Sequence, residues 1–372
     1  MSQQESLAHK YRPKKLDDLI GQDVLVQTLK NSFKNNSLHH SYIFGGKFGS
    51  GKTSAARILA AMLNNDTGPT LEPDPTQPIC ASIFEGSCND VHELDAASNR
   101  GVDEARKIAK EVQYAPVECR YKIVIIDEAH SLTDIAAESL LKLIEEPPKN
   151  VIFIFCTTDP HLLKATIHSR SQPFQFTKVG WKQLSEHLKK VANNEGIDYE
   201  EDALAICART SSGSPRNALQ NLQHLWNYAD NSQITVDDAR KVLGAIEDRH
   251  FFDLIEFIVN TNVSGGIATI NQMLQDGKRT EEVVDGLHSH LRNLLIARTC
   301  SDDLAEFGFG EEEIARYKHQ SKEVGVQLLL TMMSLIVELN RGLSYNLDPQ
   351  IQFETFMFNA IAAKTRSKKN GS

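Results

Sequence analysis

The first half of the chain contains short apolar runs in which polar and hydrophobic residues do not alternate. Such runs are typical of strands that are buried on both faces of a sheet. Amphipathic stretches with helical spacing separate the runs, which predicts an α/β fold, a mostly parallel sheet with helices on both faces. The predicted strands are "HSYIFGG" (His40–Gly46), "DVHELDA" (Asp90–Ala96), "YKIVIIDEA" (Tyr121–Ala129) and "NVIFIFCTT" (Asn150–Thr158).

From about residue 179 the pattern changes to one amphipathic helix after another. We therefore expect an α/β domain over residues 1–178, a small helical domain over 179–243, an all-helical domain over 244–365 and a disordered basic tail over 366–372. A segment rich in proline and polar residues, about 64–90, interrupts the first domain and is predicted to be an excursion from its fold.

Composition narrows the class of protein. A hydrophobic content of 41% and a charged content of 24% are ordinary for a globular protein. We find no apolar run near the roughly 20 residues that span a bilayer and no signal peptide, so a cytoplasmic protein without a membrane partner is expected. A net charge of −9 argues against indiscriminate coating of nucleic acid, although a local basic surface remains compatible with it.

The stretch "GKFGSGKT" (Gly46–Thr53) matches G-x-x-x-x-G-K-[ST] and lies between a predicted strand and a predicted helix. Glycines let backbone N–H groups face phosphates, and the helix N-terminus adds partial positive charge. Lys52 is predicted to contact the β and γ phosphates, and Thr53 to ligate Mg²⁺. The residues predicted to bind the nucleotide here are Gly46, Gly49, Ser50, Gly51, Lys52, Thr53 and Ser54.

Four further residues complete a candidate site for ATP hydrolysis. Asp127 and Glu128 follow the apolar run in "IVIIDEAH", where the first acid can hold Mg²⁺ and the second can polarise an attacking water. Thr158 ends another strand and is predicted to contact the γ phosphate or the water, although threonine is also ordinary at a strand end. Arg216, in "GSPRNAL", begins a helix and is either a phosphate contact or a surface arginine.

Taken together, these motifs resemble the AAA+ ATPases, and among them the clamp-loader ATPase subunits. The resemblance also rests on "HKYRP", "LIGQD", "ELDAASNRGVDEAR", "LLKLIEEPP" and "CTTDPHLLKATIHSRS", which follow in order from residue 9 to about 220. It implies a P-loop core, a helical lid and an oligomerisation collar, and it gives Thr158 and Arg216 the sensor 1 and sensor 2 roles. The adenine would lie near Tyr11, Arg12 and Pro13.

The resemblance further implies a pentameric assembly with copies of this chain or related subunits, which opens a sliding clamp and places it on primer–template DNA. Arg170, in "HSRSQPF", would be an arginine finger that enters the neighbouring subunit's ATP site. Nothing in the surrounding sequence suggests a local ion pair for it. Taken without the family, Arg170 would be a surface charge.

The chain departs from the family in the excursion, where a zinc module of four cysteines is usual. Only Cys80 and Cys88 remain, with Asn64 or Asn65 at the expected position of the first cysteine. Two thiols do not close a tetrahedral structural site, so zinc is not expected, while a site that includes His92 is an alternative. A divergent, phage-encoded loader subunit is compatible with these departures.

Contacts with DNA follow from weaker signals. Ser98, Asn99 and Arg100 precede a predicted helix whose N-terminus can present N–H groups and a cation to a phosphate. Lys142 in "LLKLIEEPP" is a further candidate, and for each of the four an exposed side chain without a ligand is the alternative.

Two other functions compete with clamp loading. One is another AAA+ motor on DNA, such as a branch-migration helicase, and the other is a non-hydrolysing assembly subunit of a clamp loader. The "SRS" and "EEPP" stretches disfavour the helicase, and the complete P-loop with its acid pair disfavours the non-hydrolysing subunit.

Overall fold

The structure is a computed structural model that describes residues 5–98, 102–230, 232–243, 248–300, 311–345 and 347–369. The chain divides into two compact units, residues 1–239 and 240–372. The predicted α/β domain and nearly all of the small helical domain fall in the first unit, and the predicted third domain falls in the second.

A five-stranded parallel sheet forms the centre of the first unit, in the order β2-β3-β4-β1-β5. The predicted parallel sheet is confirmed. One strand, β5, was not predicted, because its sequence is polar and contains Pro173; proline is compatible with this strand because it lies at the edge of the sheet. The strands are β1 (Ser41–Gly45), β2 (Val91–Asp95), β3 (Lys122–Asp127), β4 (Val151–Thr157) and β5 (Gln172–Gln175).

The sheet carries a hydrophobic core on each face. In β1, Tyr42 and Phe44 pack into one core, whereas Ile43 packs into the other. The same alternation separates Ile125 from Val124 in β3. Because successive side chains of a strand point to opposite faces, a strand that is apolar at every position requires helices on both sides.

Helices and short 3₁₀ turns cover the two faces. The helix α3 begins at Lys52, immediately after the glycine-rich turn that follows β1. The helices are α1 (Leu7–Lys10), α2 (Asp23–Lys34), α3 (Lys52–Asn64), α4 (Pro78–Glu85), α5 (Val102–Glu111), α6 (Asp134–Glu145) and α7 (Ala165–His168), and the 3₁₀ turns are Leu16–Asp18, Ala129–Ser131 and Pro160–Leu162.

The predicted excursion at 64–90 contains one regular element, α4, that the sequence analysis did not anticipate. Pro78 occupies its first turn and Gly86 ends it with φ 77°, while Cys80 and Ile83 are buried. The loop before the helix is closed by Asn65, whose Nδ2 donates to the Thr67 Oγ1 at 2.8 Å and whose Oδ1 accepts from the Asp74 N–H at 3.3 Å. Side-chain amide hydrogen bonds therefore hold this segment together.

Three helices of the predicted lid follow the sheet within the same unit, and a fourth crosses the boundary between the units. They are α8 (Trp181–Glu195), α9 (Glu201–Thr210), α10 (Pro215–Ala229) and α11 (Val236–Val242). The segment that leads into α8 is held by Gln22, which is almost fully buried. Its Oε1 accepts from the Thr177 N–H at 3.0 Å, and its Nε2 donates to the Thr177 carbonyl at 2.9 Å. One side-chain amide thus satisfies both backbone groups of the connecting residue.

The second unit is helical throughout the residues that the structure describes. Its helices are α12 (Asp248–Val259), α13 (Val263–Gln275), α14 (Thr280–Thr299), α15 (Glu311–Glu323), α16 (Val326–Ser344) and α17 (Pro349–Lys369). The prediction that residues 366–372 form a disordered tail is in part wrong, because α17 continues to Lys369. Residues 370–372 lie outside the described residues.

The helix α16 is long and apolar enough to cross a bilayer by length and composition, with a mean hydropathy of 1.3, which the sequence analysis did not anticipate. Its apolar residues include Leu329, Met332 and Ile336, which belong to the core of the second unit. Composition alone does not distinguish such a core helix from a membrane span.

A buried histidine links three helices of this unit. The His290 Nδ1 lies 3.1 Å from the Tyr317 hydroxyl, and its Nε2 lies 3.2 Å from the Gln320 Oε1. The Gln320 Nε2 donates to the Phe252 carbonyl at 2.7 Å. Burial lowers the pKa of His290 to about 4, so the imidazole is neutral in the folded unit at neutral pH.

We expect acid to destabilise the second unit through His290. In the unfolded chain His290 binds a proton below about pH 6.5, whereas in the folded unit it remains neutral down to about pH 4. The folded unit is therefore fully stable above pH 6.5 and loses stability as the pH falls from 6.5 to 4. The loss is on the order of 3 kcal/mol. Amide hydrogen exchange of α14 in the intact chain, corrected for intrinsic rates, measures it.

A His290→Gln variant retains polar groups but does not titrate, and it should show a smaller fall in protection between pH 6.5 and 4. His288 is exposed in the same helix and provides the matched control, since His288→Gln should keep the wild-type pH dependence. Equal pH dependence in the wild type and His290→Gln would contradict the assignment.

Candidate nucleotide-binding site

The phosphate loop connects the end of β1 to the start of α3. The Gly46 N–H donates to the Thr157 carbonyl of β4 at 3.0 Å, which fixes the beginning of the loop to the sheet. Gly49 and Gly51 have φ of 72° and 102°, a region that residues with a side chain rarely adopt. The glycines of the motif are therefore required by the turn itself.

Two side chains of the loop are buried in it. Lys52 is 5% exposed, and its Nζ donates to the Gly46 carbonyl at 2.8 Å and to the Lys47 carbonyl at 3.1 Å. The Ser50 Oγ is buried and has no hydrogen-bond partner among the described residues. A buried hydroxyl without a partner is unfavourable, so an added acceptor such as a phosphate oxygen would fit this position.

The predicted magnesium ligands are in direct contact. The Thr53 Oγ1 donates to the Asp127 Oδ2 at 2.7 Å, which joins the start of α3 to the end of β3. A hydroxyl and a carboxylate are oxygen ligands of the kind that Mg²⁺ takes in nucleotide sites. The pair thus fits the cation that the motifs imply.

Glu128, the predicted catalytic acid, lies immediately after β3 in a left-handed conformation with φ 46°. Such a conformation is unfavourable for a residue other than glycine and is often found at functional sites. Its Oε2 accepts from the Thr158 Oγ1 at 3.3 Å and lies 3.5 Å from the His130 Nδ1. The Thr158 hydroxyl also lies 2.9 Å from the Asp159 Oδ2, so its single proton is shared between two carboxylates.

His130 was missed by the sequence analysis. Its Nδ1 lies 2.9 Å from the Thr157 Oγ1, which places the ring between the ends of β3 and β4. The sequence feature that could have identified His130 is its position three residues after Asp127, in the turn where a strand ends.

A cavity of about 760 Å³ lies beside the loop. Of the predicted residues it is lined by Tyr11, Arg12, Pro13, Gly49, Ser50, Gly51, Lys52, Thr53, Ser54, Asp127, Glu128 and Arg216. Gly46 instead accepts a hydrogen bond from Lys52 beneath the loop, and Thr158 adjoins Glu128. The structure therefore brings the P-loop, the acid pair and the predicted adenine segment together.

The predicted adenine segment is attached to the lid. The Tyr11 hydroxyl donates to the Glu195 Oε1 at 2.6 Å, and Lys10 forms an ion pair with Glu195 at 2.7 Å. Burial raises the pKa of Tyr11 to about 12, and the bond to Glu195 acts in the same direction. On its other side, the Arg12 Nε donates to the Ser54 Oγ at 3.2 Å, and burial lowers the Arg12 pKa.

The start of α10 also reaches the phosphate loop. Ser214 caps this helix, because its Oγ accepts from the Asn217 N–H at 3.2 Å, and it also donates to the Gly49 carbonyl at 3.3 Å. The Arg216 guanidinium carbon lies 5.2 Å from the centre of the Phe48 ring. Arg216 thus lies beside the loop, and Phe48 is a neighbour that was not predicted.

The expectation that Arg170 has no local ion pair is wrong. Its Nη2 lies 2.9 Å from the Glu145 Oε1 at the end of α6, and its Nη1 donates to the Ser169 Oγ at 3.0 Å. Glu145 was not recognised as a partner because it lies 25 positions earlier in the sequence (170 − 145). The Arg170 side chain is 37% exposed and does not line the cavity of its own chain.

The two cysteines of the excursion have different partners. The Cys80 thiol is buried, lies 3.5 Å from the Asn65 Oδ1 and has a pKa raised to about 11 by burial. The Cys88 sulfur lies 3.5 Å from that of Cys119, and this contact lowers the Cys88 pKa to about 7. His92, the alternative ligand, has its Nδ1 3.5 Å from the Glu111 Oε2. Within the described residues, no group of three or more His, Cys, Asp or Glu side chains is placed to hold a metal ion.

The predicted DNA contacts are only partly described. Ser98 is exposed, and its Oγ donates to the Asp95 Oδ2 at 2.6 Å. Lys142 is exposed on α6. Asn99 and Arg100 lie outside the described residues.

Models of three protein families match successive parts of the chain. The model described as "DNA polymerase III, delta subunit" matches residues 21–180. The "DNA polymerase III clamp loader subunit, ATPase lid domain" matches residues 183–222, and "DNA polymerase III subunits gamma and tau domain III" matches residues 234–371. The three matches cover the sheet, the lid and the second unit in turn.

Among solved structures, the RuvB Holliday junction branch migration motor of Thermotoga maritima has a TM-score of 0.47 and 20% identity, over 70% of this chain and 85% of that one. Curated relatives include the DNA polymerase III subunit tau of Bacillus subtilis, 33% identical over 94% of this chain and 62% of the relative.

The subunit tau of Escherichia coli is 35% identical over 83% of this chain and 49% of that protein. The chain thus spans about half to three fifths of the length of these relatives. The identity extends over most of the chain, and the family models follow the same order as the structural elements. The chain belongs to the family of the gamma and tau clamp-loader subunits of DNA polymerase III.

Proposed function

We propose that this chain is a clamp-loader ATPase, which binds ATP with Mg²⁺ and hydrolyses it. The observation that carries the proposal is the convergence of Lys52, the Thr53–Asp127 pair and Glu128 beside one cavity. Nucleotide hydrolysis needs a phosphate cradle, a place for the cation and a carboxylate to position water. The described residues provide candidates for all three.

Each residue has a distinct part in the proposed reaction. The loop N–H groups and Lys52 would bind the phosphates, and Thr53 and Asp127 would hold Mg²⁺, which would supply positive charge to the phosphates. Glu128 orients the attacking water, and Thr158 fixes the carboxylate through their hydrogen bond. Tyr11, Arg12 and Pro13 line the side of the cavity assigned to the adenine, and Arg216 joins the phosphates to the lid.

We infer the process that this hydrolysis drives from the family to which the chain belongs. The chain would assemble with other clamp-loader subunits in a pentamer, open a sliding clamp and release it on primer–template DNA in the cytoplasm. Arg170 would act on the neighbouring subunit's ATP, and Ser98, Asn99, Arg100 and Lys142 would contact DNA. The family matches favour this function over the branch-migration helicase. Zinc has no role in the proposal.

Ser50→Ala tests the phosphate cradle. The hydroxyl has no partner in the described chain, so its removal should not lower the stability of the protein. If it donates to a phosphate, the affinity for a non-hydrolysable ATP analogue should fall about tenfold or more, measured by calorimetry.

Ser41→Ala is the matched control, since the Ser41 Oγ is buried and hydrogen-bonded to the Ser171 Oγ at 2.6 Å, away from the cavity. It should lower the melting temperature and leave the affinity unchanged. Unchanged affinity in Ser50→Ala would remove this serine from the site.

Glu128→Gln tests hydrolysis itself. The amide retains the size of the side chain but cannot accept a proton from water, so we expect nucleotide binding to persist and turnover to fall about 10²–10⁴-fold. Phosphate release by the assembled complex measures turnover, and calorimetry measures binding. A wild-type chain that binds ATP but shows no turnover in the complex would instead indicate a non-hydrolysing subunit.

Arg170→Ala tests action on a neighbouring subunit. We expect ATP binding to persist and DNA-stimulated hydrolysis to fall about 10³–10⁵-fold, the range typical of arginine fingers. Mixing Arg170→Ala with Glu128→Gln chains should restore part of the activity, because some interfaces then combine an intact Glu128 with an intact Arg170. No restoration in complexes that native mass spectrometry shows to be mixed would exclude the assignment.

Glu145→Gln separates this role from a structural one. It removes the ion pair of Arg170 but leaves the guanidinium in place. If Arg170 acts on a neighbour, hydrolysis should be retained; if the ion pair alone matters, both variants should lose activity equally.

A further inference from the structure

Phe48 is an unusual residue for a phosphate loop. Its side chain is 58% exposed and lines the nucleotide cavity, between Gly46 and Gly49. A phenyl ring gives no hydrogen bond to a phosphate, and its exposure means that core packing does not account for it. The chemistry that the ring offers here is its negatively polarised face.

A cation occupies that face. The Arg216 guanidinium carbon lies 5.2 Å from the ring centre, within the distance of about 6 Å at which a cation–π interaction is effective. Among the described residues, no carboxylate lies within salt-bridge distance of Arg216. The ring of Phe48 is therefore its electrostatic partner.

The backbones beside this pair are held in close contact. A Cβ at Gly49 would lie 2.2 Å from the Ser214 Oγ and 3.2 Å from the Arg216 Cβ, so the loop and the start of α10 meet without room for a side chain. The Ser214 hydrogen bond to the Gly49 carbonyl joins the same two segments. The cation–π pair is thus one part of a two-point junction between loop and lid.

Several charged side chains line the cavity around this pair. Arg12 and Arg216 both line it, and the pKa of Arg12 is lowered chiefly by burial, with smaller effects from the charges of Arg57 and Arg216. Carboxylates also line the cavity, Asp127 and Glu128 among them, but in the described part of the chain neither forms an ion pair with Arg216. A ring face at the edge of the cavity holds the guanidinium in place and leaves its charge available. A carboxylate in the same position would neutralise that charge.

We propose that Phe48 is a positioning residue that orients Arg216 over the phosphate loop, so that a nucleoside triphosphate meets a preoriented cation. The inference rests on the proposed ATP binding. Ordering a free Arg216 side chain on binding would cost conformational entropy. Because Phe48 already orders the side chain, this cost is not subtracted from the free energy of the Arg216–phosphate interaction.

A double-mutant cycle in the full-length chain tests this coupling. Phe48→Leu keeps an apolar side chain without a π face, and we expect it to weaken binding of a non-hydrolysable ATP analogue about two- to fivefold. Phe48→Trp should restore the affinity. In the Arg216→Ala background, Phe48→Leu should have no further effect. An equal loss in both backgrounds, or no loss in either, would overturn the inference.

A second measurement does not depend on nucleotide. Indole fluorescence of Phe48→Trp should differ between chains that carry Arg216 and chains with Arg216→Ala, while Trp181 and Trp226 contribute equally to both. Identical spectra would overturn the pairing itself. If the fluorescence differs but the wild type binds no analogue, the proposed function fails and the Phe48–Arg216 contact stands.

Discussion

The register of the parallel sheet is the constraint on which the site depends. In that register Gly45 of β1 pairs with Thr157 of β4, and Ile126 of β3 pairs with Phe155. The carboxyl ends of three strands therefore finish side by side, and the loops that follow them place the P-loop, the acid pair and Thr158 in contact. A slip of two residues would keep every side chain on its own face yet move one end by about 6.6 Å, which is beyond hydrogen-bond reach.

Among the described residues, several polar contacts connect the sheet domain to the lid. Tyr11 reaches Glu195, Ser214 reaches the Gly49 carbonyl, and Arg216 lies over a ring of the phosphate loop. Each interaction of this kind contributes only about 1 kcal/mol. A bound anion that contacts both the phosphate loop and the lid can therefore change how strongly the two are held together. The cavity beside the phosphate loop lies at this junction, since residues of the loop and of α10 both line it.

The local pattern predicted the sheet, the P-loop, the acid pair and the lid helices, because each depends on residues close together in the sequence. It missed the partners that only the tertiary fold brings near, such as Glu145 beside Arg170 and Glu195 beside Tyr11. The edge strand β5 was missed because an exposed edge does not require apolar residues at every position. The roles proposed for the site residues come from their chemistry and from the family resemblance.

Gln22 has a consequence for how sequence variation is tolerated. Its amide bonds to the N–H and carbonyl of Thr177, groups that every residue except proline possesses. The connection into the lid is therefore recognised through the backbone, and residue 177 can be exchanged for most others without loss of these two bonds. Gln22 itself has no such freedom, because glutamate lacks the donor and a shorter amide lacks the reach. The residue that determines this connection thus lies 155 positions away from it in the sequence.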